Sequence, residues 1–123
     1  MSLTWKEISD EGLLAAEELR TRKLLKSCVS RAYYSTYSLI TSTLEGKVVF
    51  PTGKAGPTHA NLPDLILSNL PLSQNTRHEV KKAVKRLYEA RIQADYSKYE
   101  TTERDVVDVM RDVSFVRRSI TGG

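Results

Sequence analysis

The chain has 123 residues, 40% apolar and 28% charged, with a net charge of +4. Such a length suits one domain around one core, and the balance is neither that of a disordered segment nor that of a membrane protein, because no apolar run nears the roughly 20 residues a span requires. The single cysteine, Cys28, excludes an internal disulfide and fits a reducing cytoplasm, and with only two histidines beside it neither a metal site nor any other cofactor is expected.

Helical periodicity covers most of the chain. A first helix starts near Thr4, where Thr4 and Glu7 have the spacing of a capping box. Trp5, Ile8, Ala15, Ala16 and Leu19 give it an inner face, and Gly12 is a weak spot near its middle. The opening residues lack a basic region followed by an apolar stretch, so no secretory leader is expected.

A second helix runs from about Leu24 to Leu44, with Leu25, Val29, Ala32, Thr36, Ile40 and Leu44 on the helical step. Tyr33 and Tyr37 form an aromatic row beside that stripe, and Gly46 is the stop. Residues 46–58, rich in glycine and proline, form a loop that contains the sole β-type run, Val48-Val49-Phe50. The run Gly53-Lys54-Ala55-Gly56-Pro57-Thr58 lacks the spacing of a phosphate loop, and no strand precedes it.

A short third helix covers about Ala60 to Leu70, ahead of Pro71. A fourth runs from Ser73 to about Ser97, and a fifth starts near Thr102 with Asp105 in its first turn. The fifth carries a narrow apolar seam of Val106, Val109, Val113, Val116 and Ile120, while Arg117 and Arg118 suit the negative end of its dipole. The sum is an all-α, up-and-down bundle of four main helices plus a short one, in a single domain over residues 1–123.

Charge is concentrated in the fourth helix. Between Arg77 and Arg91 lie six basic residues and two acidic ones, so this segment carries the whole net charge. Arg77, Lys81 and Lys85 form a basic patch there, attractive to nucleic-acid phosphate or an acidic partner, although a solvated helix face would look the same. Arg91 stands in the apolar row of Val80, Val84, Leu87 and Ala94, one turn before Asp95. A guanidinium there keeps its charge and must find an acceptor or water. The pair is either a structural ion pair or a cation placed to bind phosphate.

The second helix supplies the other polar–aromatic cluster, Ser30-Arg31-Ala32-Tyr33-Tyr34. Asp95 is a candidate acceptor for its tyrosine hydroxyls, and a shared pocket of Arg31, Tyr34, Arg91 and Asp95 is the functional expectation. His59, in the loop before the third helix, serves as acid or base only if the fold carries it to Arg91. His78 lies on a polar face and has no assigned role.

The string Ser30-Arg31-Ala32-Tyr33-Tyr34, then His59 before a short helix, then Arg91-Ile92-Gln93-Ala94-Asp95-Tyr96, together resemble the HEPN family (higher eukaryotes and prokaryotes nucleotide-binding) over nearly the whole chain. The resemblance implies an α-helical bundle, usually a homodimer, often working beside a minimal nucleotidyltransferase in toxin–antitoxin or defence systems. Many members are metal-independent ribonucleases, with an arginine followed a few residues later by a histidine and a site made across the dimer interface. Arg91 matches that arginine. Asp95 or Tyr96 stands where the histidine belongs, and neither replaces imidazole near pH 7.

Three readings follow. In the first, the chain is a cytoplasmic binding module. Arg31, Tyr34, Arg91, Asp95 and His59 take nucleotide or RNA phosphate, or the docking face of a nucleotidyltransferase. In the second it is a divergent metal-independent ribonuclease toxin, with Arg91, Tyr96 and His59 as catalytic candidates. In the third it is a structural, antitoxin-like interaction protein. Whether it is an enzyme stays open on sequence alone.

Overall fold

The computed structural model describes residues 2–51 and 53–122. Five α-helices follow in order: α1 (Trp5–Thr21), α2 (Leu25–Leu44), α3 (Leu62–Asn69), α4 (Gln74–Tyr96) and α5 (Glu103–Thr121). Among the described residues no strand forms, and Val48 makes only an isolated bridge to Glu45. The all-α bundle expected from the sequence is the observed architecture. No described helix is long and apolar enough to cross a membrane.

The caps explain where helices begin. At α1 the Thr4 hydroxyl accepts from the Glu7 N–H at 3.1 Å, and the Glu7 carboxylate accepts from the Thr4 N–H at 3.0 Å. Thr102 and Asp105 repeat the arrangement at α5, at 3.2 and 2.8 Å. Ser73 caps α4 by accepting from the Thr76 N–H at 3.2 Å. These side chains satisfy donors that the first turn leaves free. Gly46, at φ +83°, turns the chain just after α2, a conformation that suits glycine.

The third helix is shorter than the periodicity suggests. Thr58 Oγ1 accepts from the Asn61 N–H at 3.2 Å, which holds residues 58–61 in a turn, and Pro63 sits in the helix's first turn.

The long α2 lies at the centre, packed against α1, α4 and α5. One end of the core joins Val29, Ala32, Tyr33, Leu87, Val106 and Val113. The other joins Ile40, Leu44, Leu62, Ile66, Val80, Val84 and Val116. Cys28 is buried with the first group. In α5 the expected seam is buried from Val106 through Val116, with Ile120 partly covered at its end.

Of the expected inner face of the first helix, Ala16 and Leu19 pack on the core and Ile8 alone lies exposed. Ala15 is partly covered, and Ser9 is buried as well. The reason is close approach to α2. A Cβ added at Gly12 would lie 3.4 Å from Ser35 Cβ, so this glycine fits the helix contact rather than weakening it. Beside it, Ser9 Oγ donates to the Ser35 carbonyl at 2.6 Å, and Ser35 Oγ donates to the Ser9 carbonyl at 2.7 Å. Arg117 does not stay at the end of the α5 dipole. Its Nη1 donates to Ser9 Oγ at 2.8 Å and its Nη2 reaches the Asp10 carboxylate, tying α5 to α1.

Candidate functional site

Packing of α2 on α4 faces Tyr33, Tyr34 and Tyr37 toward Tyr88 and Arg91, the latter pair one turn apart on α4. Into this aromatic group comes His59, carried by the turn before α3. Its ring centroid lies 5.5, 5.9, 5.3 and 5.5 Å from those of Tyr33, Tyr34, Tyr37 and Tyr88. Trp5 adds an edge-on contact to Tyr37 at 6.2 Å.

Two hydrogen bonds hold the histidine loop. His59 Nδ1 is 2.6 Å from the Tyr33 hydroxyl, and the Tyr37 hydroxyl donates to the Pro57 carbonyl at 2.7 Å. Burial raises the pKa of both phenols, so both hydroxyls stay protonated. The tyrosines therefore do not turn to Asp95 as the sequence suggests. The loop offers nearer acceptors, and Asp95 takes its bonds elsewhere.

Burial, then the positive charge of Arg91, lowers the His59 pKa below 6.5. The imidazole is therefore neutral near pH 7, the state a general base requires.

The Arg91 side chain is 14% exposed. Its Cζ stands 5.1 Å from the Tyr34 centroid and 5.6 Å from that of Tyr96, a cation–π contact with each ring. Its Nε lies 2.9 Å from Asp95 Oδ2, yet the N–H does not point at that oxygen, so the contact is an ion pair without an aligned hydrogen bond. Ser30 Oγ donates to the same carboxylate oxygen at 3.3 Å. Burial opposes the Arg91 charge, but Tyr34 and Asp95 lead the effects that outweigh it and raise its pKa. The result is a permanent cation, oriented from one side and weakly satisfied.

Tyr34, Arg91 and Asp95 are thus assembled as expected. His59 and Arg91 rest against the same Tyr34 ring, so no more than the sum of their two distances to it separates them. Tyr96 is 75% exposed at the mouth of the site. Arg31 is exposed and lines a groove with Leu3, Ile8, Gly12 and Tyr34, so it borders Tyr34 but makes no ion pair with Asp95 among the described residues.

The basic patch falls into two parts. Arg77 and Lys81 are half-buried on α4, while Lys85 is exposed and shares a cleft with His59, Tyr33 and Tyr88. Sequence reasoning missed the part played by Tyr88. The available signal was its position three residues before Arg91, on the same helix face. Among the described residues no group of three metal-ligating side chains gathers.

A family model described as HEPN domain matches residues 2–121. No curated protein matches the chain.

Proposed function

The chain belongs to the HEPN domain family, and from that premise we propose that it is a phosphate-binding module for nucleotide or RNA. The observation that carries this reading is the Arg91 guanidinium. It is enclosed by Tyr34, Tyr96 and Asp95, yet its end makes no aligned hydrogen bond among the described residues. A phosphate would complete it with charge-assisted, bidentate bonds. Asp95 keeps the side chain in place, and the exposed Tyr96 ring offers a face on which a base can stack. Titration of the protein with uridine monophosphate and a short oligouridylate, followed by calorimetry, tests this. Binding is expected for the wild type and is lost in Arg91→Ala, with the helical circular dichroism signal retained. Loss of the fold in that variant, with no phosphate ligand for the wild type, would leave Arg91 a structural residue.

A second reading is favoured by one contact: the neutral His59 imidazole and Arg91 share the Tyr34 ring. In it, His59 takes the proton of an RNA 2′-hydroxyl, whose oxygen bonds to the neighbouring phosphorus while Arg91 stabilises the charge there; the P–O5′ bond breaks and the 5′-oxygen leaves with a proton, giving a 2′,3′-cyclic phosphate. Tyr96 and His59 are its proton carriers. Cleavage of RNA in EDTA that disappears in both Arg91→Ala and His59→Ala supports this reading, and intact RNA throughout pH about 6 to 9 removes it.

HEPN domains often dimerise. The reading extends to a homodimer working in the cytoplasm beside a minimal nucleotidyltransferase, in a toxin–antitoxin or defence setting. Sedimentation of the pure chain and co-purification with such a transferase test these two steps separately. A monomer that captures the transferase but no nucleotide would favour the antitoxin-like interaction protein.

A further inference from the structure

A neutral imidazole exists in two forms, with its proton on Nδ1 or on Nε2, and only the bare nitrogen can accept. At His59 the surroundings of Tyr33 decide between them. Tyr33 is 1% exposed and packs edge-on against Tyr34 and Tyr88. Burial raises its pKa, so the phenol keeps its hydrogen. The hydroxyl makes one hydrogen bond among the described residues, with His59 Nδ1 at 2.6 Å.

With the proton on Nδ1, the ring would donate to the phenol oxygen and the phenolic hydrogen would be left in the core without an acceptor. A buried donor in that state loses its hydration and gains nothing for it. With the proton on Nε2, the phenol donates to Nδ1 and both groups are satisfied. Nε2 points away from Tyr33, has no partner among the described residues and is not sealed from solvent.

The charges around the ring suit an anion. Arg91 is near enough for its charge to lower the His59 pKa. His59 also borders two clefts, one with Lys85 and Glu89 of α4 and one with Lys54 of its own loop. From α2 the ring meets tyrosines alone. Three cations thus face one carboxylate around an N–H that has nothing to donate to.

Resting on the reading of Arg91 as a phosphate site, we propose that Tyr33 is a positioning residue that fixes the His59 proton on Nε2, and that this N–H donates to an oxygen of the phosphoryl ligand beside Arg91. The site then offers the anion two kinds of donor and no base. A phosphate seated there is held and not cut, because the nitrogen turned to it cannot take the proton of a 2′-hydroxyl. Binding and cleavage at His59 need opposite tautomers.

Long-range nitrogen-15 NMR of the ligand-free chain at pH about 7.5, above the ordinary histidine pKa, reads the tautomer. His59 and His78 are the two histidines, and His59→Gln assigns the signals. Nδ1 of His59 should resonate as a bare nitrogen and Nε2 as an N–H, and the reverse pattern overturns the proposal. Tyr33→Phe keeps the ring and removes the hydroxyl. Its His59 shifts should move toward those of the exposed His78, whereas unchanged shifts would strip Tyr33 of the role.

Calorimetry with uridine monophosphate and with inorganic phosphate tests the donor. His59→Ala should weaken both by about tenfold, the worth of a hydrogen bond to a charged group. His59→Gln, whose amide still donates, should recover part of that loss. A loss confined to uridine monophosphate would place His59 on the base and overturn the proposal. A reversed tautomer with phosphate binding intact overturns it while sparing the Arg91 reading. Failure of the wild type to bind either ligand, with the tautomer as expected, takes down the Arg91 reading and the donor role together.

Discussion

Two arginines in this bundle are almost equally covered and differently used. Arg117 is 17% exposed and Arg91 14%. Arg117 is met by the Asp10 carboxylate and the Ser9 hydroxyl, which in turn joins α1 to α2. Its charge is consumed by the junction of three helices. Arg91 instead has aromatic faces beside it and a single carboxylate out of line with its N–H. Burial alone therefore does not separate a structural cation from an available one. The direction and number of its acceptors do.

The largest expected effect comes from breaking the first of these. Arg117→Ala removes two charge-assisted bonds and the packing of the arginine stem, and should cost about 2–3 kcal/mol in urea unfolding. Phosphate binding at Arg91 should be untouched at temperatures where the variant is folded. Arg91→Ala reverses the pattern. It should cost under about 1 kcal/mol of stability, since Asp95 keeps Ser30 and access to water, while losing at least about tenfold in phosphate affinity. If the two variants lose equal stability, the distinction between the arginines collapses.

A smaller loss is expected at the loop that delivers His59. A Cβ at Gly56 would sit 2.7 Å from the Tyr37 hydroxyl and 3.3 Å from Thr41 Cγ2. Gly56→Ala must therefore push Tyr37 off the Pro57 carbonyl or lift the loop, at about 1–2 kcal/mol. Because the same loop holds His59, the His59 ring resonances should move in that variant. Unchanged stability would mean that the loop has slack to absorb a methyl group.

The contrast also marks what was legible from residue order. Capping residues Thr4, Ser73 and Thr102 act locally, within three positions, so their helices start where the spacing predicts. Arg91 and Asp95 are likewise one turn apart, and an intrahelical pair can be read directly. The valine seam of α5 was equally plain because its period is the helix's own. Arg117 looked like a dipole-capping residue, and its true partners lie more than a hundred positions earlier, beyond any local rule. For Arg31, spacing gives its helix but not the groove beside Tyr34 that it lines, because that depends on which neighbour that side of the helix meets. The Ser9 and Gly12 part of the α1 contact was missed because these residues look unsuited to a core, yet small residues are what let two helices touch. His59 was visible only as a possibility, since a loop's path is set by contacts such as the Tyr37 bond to Pro57 that no periodicity encodes.

The smallest effect expected is also the most specific to the aromatic end. The His59 pKa in the folded chain is lowered from 6.5, chiefly by burial. Below that value the unfolded chain takes up a proton that the folded chain still refuses. The contribution of His59 to stability is therefore complete above pH 6.5 and is lost as the pH falls toward the folded pKa. Replacing it with glutamine should flatten the stability profile on the acid side of that point and leave the alkaline side level. Tyr33→Phe sharpens the assignment. It removes the 2.6 Å bond to Nδ1 at a cost of about 1 kcal/mol at pH 7, but keeps the burial that lowers the pKa. The acid-side slope should thus survive in Tyr33→Phe and vanish in His59→Gln. Loss of the slope in both would show that the phenol, rather than enclosure by the tyrosine rings and the nearby Arg91 charge, keeps the imidazole neutral.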